Sequence, residues 1–185
     1  EKNLMVCLSD PRWRVRANAA EALGDMKSVK AKDDLKKLLL DNDPFVIKSA
    51  LLALGKLDLP PAPADLMRIA RKHPDLIDII VKIALKKSKS DEYLHLLQNL
   101  FKEISVEHQG VMLTVLADSN GFGKGEESRW DAVFDDFLSA SSGWVREKAV
   151  TTLPVCSPEL AVDKVGFMLQ DPDEAVRNAA CTLVL

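Results

Sequence analysis

Three stretches of this chain carry the same punctuation, and that recurrence limits the architectures open to it. Asp10-Pro11 leads through Val15-Arg16 to Ala19, Ala22, Leu23 and Gly24. Asp43-Pro44 leads through Ile47-Lys48 to Ala50, Ala53, Leu54 and Gly55, and Asp171-Pro172 leads through Val176-Arg177 to Ala179-Ala180. A fourth stretch, Trp144-Val145-Arg146-Glu147-Lys148-Ala149-Val150, lacks the Asp-Pro pair but keeps the Val-Arg step. Anchors at Val15, Ile47, Val145 and Val176 leave room for two more units, which Ile80 and Met112 fill. The steps are then 32, 33, 32, 33 and 31 residues. A unit of that length cannot bury its own apolar face, so it must lean on the next one.

Each unit reads as two helices. The second helix is expected to open with Asp as N-cap and Pro at the first helical position, where the missing N–H costs nothing. Small residues follow on its apolar side, and Gly24 and Gly55 are expected as C-caps. The first helix of each unit carries a heavier apolar stripe: Leu35, Leu38 and Leu39; Leu66 and Ile69; Leu94, Leu97 and Phe101; Val133, Phe134 and Phe137; Leu160, Val165 and Met168. These recur at three- and four-residue spacing. Asp33-Asp34, Asp91-Glu92 and Glu126-Glu127 precede stripes, where the positive end of a helix dipole favours acids. No alternating pattern competes, so the fold class is all-α.

The pattern Asp-Pro-x-x-x-Val-Arg-x-x-Ala-Ala-x-Ala-Leu-Gly resembles HEAT repeats, in particular the short subtype also seen in phycobilisome (bilin) lyases. The resemblance implies a right-handed α-α superhelix, a single solenoid over residues 1–185 built from about six helix pairs, with the second helix of each pair lining the concave side. It also implies a ladder of hydrogen bonds between adjacent repeats, matched here by Asp10, Arg16, Asp43, Lys48, Arg146, Asp171 and Arg177. Two segments depart from the pattern: a proline-rich connection at 57–63 and a Gly-rich insertion within 118–129.

Composition narrows the function. No apolar run approaches the ~20 residues of a membrane span. Three cysteines without close pairing (Cys7, Cys156 and Cys181) are expected as buried thiols of a reducing compartment, the cytoplasm. The first residue is not Met and the last lies in an apolar segment, so the expectation is a piece of a longer chain. The net charge of −3 argues against a generic nucleic-acid binder. Residues 1–110 hold 19 basic and 16 acidic side chains, a net of +3, whereas residues 111–185 hold 6 and 12, a net of −6.

An open array of helices offers area rather than a dry pocket, which points to protein or peptide recognition. Helical geometry gives the expected groove: Glu21, Glu147 and Asn178 on the exposed rows of the second helices, with Lys82, Lys86 and Lys89 forming a cationic stripe for an acidic partner. Gly121-Phe122-Gly123-Lys124-Gly125 lacks the spacing and the preceding strand of a phosphate loop. His73, His95 and His108 show no metal-ligand spacing. No catalytic residue, cofactor or metal is expected. The function read from the sequence is therefore a non-catalytic interaction scaffold or regulatory arm. A bilin lyase-like chromophore chaperone and a HEAT-like nucleic-acid-binding protein remain as alternatives.

Overall fold

The computed structural model describes residues 1–119 and 127–184. Most of the Gly-rich insertion lies outside them, as does Glu126 of the third acidic pair. The described residues are helical and contain no strand. The chain divides into two compact units, Glu1–Ile83 and Ala84–Leu185.

The first unit comprises α1 (Lys2–Cys7), α2 (Trp13–Asp25), α3 (Lys32–Lys37), α4 (Pro44–Lys56) and α5 (Pro63–Lys72). The division falls inside the next helix, α6 (Ile77–Lys86). Single 3-10 turns at Val29–Ala31, Leu38–Leu40 and Pro74–Leu76 join or extend these helices. The core is aliphatic, with Leu23, Leu35, Ile47, Leu51, Leu54, Leu66, Ile69 and Ile80 all inaccessible or nearly so. The proline-rich connection delivers α5, which starts on Pro63 after the extended residue Ala62.

The second unit continues with α7 (Asp91–Glu103), α8 (Val106–Asp118), α9 (Glu127–Leu138), α10 (Gly143–Cys156), α11 (Pro158–Met168) and α12 (Glu174–Val184). Aromatic rings dominate its core. Phe101 meets Phe137 at 4.4 Å between centroids, Phe137 meets Phe134 edge-on at 5.3 Å, and Trp130 is wholly buried beside them in sequence. Asp33-Asp34 and Asp91-Glu92 occupy the first turns of α3 and α7.

Two expectations about the repeat need correction. Asp10, Asp41 and Asp171 each accept the backbone N–H two residues on, from Arg12, Asp43 and Asp173 at 2.8–2.9 Å. Helices start one residue later, at Trp13, Pro44 and Glu174. The counterpart of Asp10 is therefore Asp41 rather than Asp43, and that of Val15 is Val46 rather than Ile47. Asp-Pro serves two purposes here. At Asp43-Pro44 the carboxylate caps the helix through the Phe45 N–H and Pro44 is the first helical residue, whereas Pro11 and Pro172 lie in the turn before theirs.

The second correction concerns the glycines. α2 and α4 run one residue past Gly24 and Gly55. The left-handed residues that end them are Lys27 (φ 49°) and Asp58 (φ 56°). Ser28 and Leu59 then donate back to the carbonyls of Leu23 and Leu54. Gly24 has another reason to be glycine: a Cβ there would lie 2.7 Å from the Ala53 Cα, so its absence lets α2 and α4 pack backbone to backbone. A Cβ at Gly55 would meet nothing within 4 Å.

Candidate functional site

Close packing at Gly24 and Ala53 brings the two longest helices of the first unit side by side and leaves a cleft along their outer edge. Its volume is about 300 Å³. Ala17 and Ala53, both buried, form the floor, and Asn18 and Ser49 place polar groups beside them. At one end Trp13 and Phe45 stack, with centroids 5.3 Å apart and planes 24° from parallel. The Arg14 guanidinium lies 4.6 Å over the Trp13 ring. Phe45 remains 59% exposed and Leu52 is exposed further along, so the aromatic pair is not consumed by packing. At the other end Lys56 pairs with Asp25 across the helices, and this hydrogen bond raises the ammonium pKa. Glu21 and Lys48 also line the cleft, and Lys48 makes no ion pair among the described residues.

A pair of arginine clamps fixes the helices that carry such surfaces. Arg16 donates from Nε and Nη2 to both carboxylate oxygens of Asp41, at 2.7 and 2.8 Å, and from Nη1 to the carbonyls of Asp10 and Pro11. Arg146 repeats the arrangement with Asp171, at 2.8 Å twice, and with the carbonyls of Ala140 and Ser141. Both bidentate pairs are largely buried. The Arg146 hydrogen bond holds the Asp171 carboxyl below its ordinary range, and burial only partly opposes this. Around Asp41 burial pulls upward, but the hydrogen bond from Arg16 and those from the backbone outweigh it, so its pKa is also lowered. Arg177 makes half of the clamp, donating from Nη1 to the carbonyls of Asp171 and Pro172 at 2.7 and 3.0 Å.

The expected ladder is thus only partly what forms. Arg16, Arg146 and Asp171 are clamp residues and Arg177 makes its backbone half. Asp43 is a helix cap, and Lys48 faces the cleft. Asp10 is engaged locally by Arg12 through Nε and Nη2, which holds its carboxyl at about 2. Asp41 was missed, although a signal existed: both clamps join an arginine to an aspartate 25 residues later.

The expected groove residues are dispersed. Glu21 borders the cleft, Glu147 is half-buried on α10 and Asn178 is exposed on α12. Lys82, in the first unit, is exposed with its ammonium 3.6 Å from Asp78; Lys86 and Lys89, in the second, are exposed too. On α2 the exposed row runs through Asn18, Glu21 and Asp25, with Ala17 and Gly24 buried. Phe45, Leu52 and Asn18 are the cleft residues sequence reasoning passed over. Of the cysteines, only Cys156 is buried; Cys7 is half-buried and Cys181 exposed. Among the described residues no group of three His, Cys, Asp or Glu side chains is placed to share a metal ion. None of the described helices is long and apolar enough to cross a membrane.

Stacked helix pairs clamped between neighbours define a helical-repeat protein. Residues 1–86, the stretch holding the cleft and the Arg16–Asp41 clamp, match the family model for HEAT repeats. Among solved structures the chain is similar to an engineered protein at 16% identity and TM-score 0.52, covering 99% of this chain and 94% of that one. It is also similar to a designed armadillo repeat protein at 18% identity and TM-score 0.53, covering 98% and 97%. A second designed armadillo repeat protein, solved in complex with the peptide (KR)4, gives 17% identity and TM-score 0.53, again covering 98% and 97%. At these identities the likeness is one of fold. No curated protein matches the chain.

Proposed function

We propose that the chain is a HEAT-type interaction scaffold, acting by binding rather than by catalysis, and that the α2–α4 cleft holds an extended segment of a partner protein. The Trp13–Phe45 stack, with Phe45 exposed and Trp13 half-buried, carries this reading. Two aromatic rings left at the mouth of a cleft with a small-residue floor offer apolar area with little conformational entropy to lose, which is the usual chemistry of a binding hot spot. The peptide-bound designed repeat protein of the same fold supports the general mode, a peptide held by stacked helices.

Charge suggests which peptide. Arg14 and Lys48, which makes no ion pair among the described residues, flank the aromatic end, while the charge of Lys56 is matched by Asp25. The segment that fits is an apolar side chain flanked by Asp or Glu. Asn18 and Ser49 are placed to hydrogen-bond its backbone.

Fluorescein-labelled ten-residue peptides with a central Leu or Phe and either acidic or basic flanks, titrated with the protein and read by anisotropy, test the proposal. Saturable binding of the acidic set is expected, with Phe45→Ala weakening it by roughly tenfold or more. Because Phe45 is exposed, the same variant should melt within a few degrees of the wild type. Equal binding by Phe45→Ala, or no preference between the two sets, would defeat the reading.

A further inference from the structure

Trp144 stands near the start of α10, inside the second unit, with α8 packed on one side of that helix and α12 on the other. The far edge of its indole rests on bare backbone, since a Cβ at Gly110 of α8 would run into Trp144 Cη2 and Cζ3. Packing does not consume the ring: Trp144 is still 49% exposed. The Lys148 ammonium lies 5.5 Å over it, near the outer limit of an attractive cation–π contact. An indole already braced across two helices has little conformational freedom left to lose on binding.

The charge around this ring is negative. Glu107 precedes Gly110 by three residues on α8, and Glu147 follows Trp144 by three on α10, so helical spacing sets both on the side that carries the indole. In the turn before α12 the Asp173 carboxylate sits against Gly143, the residue next to Trp144, and accepts the Ala175 N–H. None of these three carboxylates makes an ion pair among the described residues. Arg146 does not offset them, because Asp171 and two backbone carbonyls already hold it. Over a longer range the balance has the same sign, with 6 basic and 12 acidic side chains in residues 111–185.

We propose that Trp144 anchors a second interaction surface, on the α8–α10 face, whose occupant is a basic segment of a partner protein. A Lys or Arg of that segment replaces Lys148 over the indole, and its basic neighbours pair with Glu107, Glu147 and Asp173. Lys148 gives way readily, because a single exposed cation over a ring is weakly held. With one ring and no enclosing cleft this surface binds more weakly than the α2–α4 cleft, so the whole protein keeps its preference for acidic peptides. The two surfaces lie in different units and carry opposite charge, and the failure of one leaves the other untouched.

The test uses the Phe45→Ala variant, in which the cleft is disabled, titrated with the basic-flanked and acidic-flanked fluorescein peptides and read by anisotropy at low and high salt. Saturable binding of the basic set is expected, weakening as salt is added, with none of the acidic set. In the 15N-labelled variant the Trp144 indole N–H resonance should shift on adding basic peptide, while that of the buried Trp130 stays in place. Adding Trp144→Ala should weaken binding by roughly tenfold or more, with Trp144→Phe retaining part of it and circular dichroism showing both folded. Adding Lys148→Ala instead leaves the ring in place and removes the competing cation, so the basic set should bind about two- to threefold tighter. No binding of the basic set would overturn the proposal. So would binding that survives Trp144→Ala, a Trp144 resonance that does not move, or weaker binding by Lys148→Ala.

Discussion

Arg16 and Arg146 each donate four hydrogen bonds, two to a carboxylate of the next repeat and two to carbonyls of their own turn, so one side chain sets both a local turn and the approach of a neighbour. Removing the carboxylate strands a largely buried guanidinium. Asp171→Ala should therefore cost about 2–4 kcal/mol, seen as a lower urea midpoint with an unchanged slope. Acid should act in the same direction. The folded pKa values of Asp41 and Asp171 are depressed, so their contribution is present above the ordinary carboxylate range and is lost as pH falls through the folded values. Stability measured by urea should fall between about pH 5 and pH 2, and less steeply in Asp171→Asn. Thiol chemistry gives a second residue-scale check. Burial pushes the Cys156 thiol up to about 12, so in native protein Cys181 should react with a disulfide reagent, with Cys156 reacting only after denaturation. Which residues would be polar and clustered was readable from sequence; which aspartate each arginine would reach was not, because Asp41 and Asp43 stand two residues apart and either satisfies a pattern.

Gly24 and Gly55 occupy the same place at the ends of α2 and α4, and the structure gives them opposite sensitivities. Gly24→Ala drives a methyl group into the backbone of Ala53 and should destabilise by about 1–3 kcal/mol. Gly55→Ala places the methyl group in open space within a helix and should stabilise by about 0.5–1 kcal/mol. Thermal melts of the two single variants check the sign directly. The helices themselves were legible, since apolar residues recur at helical spacing and Leu66, Leu97, Phe134 and Val165 are all buried as their stripes require. Their ends were harder to read. Glycine is so common as a C-cap that its use for close approach at Gly24 leaves no local mark, and a lysine and an aspartate take the left-handed positions instead. The candidate cleft was hidden for a related reason: Phe45 and Trp13 look like core residues in a pattern, yet where they stack Phe45 stays exposed and Trp13 only half-buried.

At the scale of the whole molecule the sequence signal was the recurring Val-Arg step, and in a repeat fold each helix pair touches chiefly its neighbours. Locality has a measurable form. Gly24→Ala should speed amide exchange in α2 and α4 while leaving the protection of α10 and α12 unchanged. From Val15 to Val46 and from Val145 to Val176 the step is 31 residues, and side-chain volume could not separate Val46 from Ile47, since both are buried. The two clamps add a demand on length. From Arg16 to Asp41 and from Arg146 to Asp171 the chain runs the same 25 steps, through the rest of the arginine's own helix, a connection, the next helix and the following turn. That interval works as a ruler: a residue inserted between 17 and 40 would carry Asp41 past its guanidinium. No arginine–aspartate clamp spans 60–62 among the described residues, so a residue added there meets no such gauge.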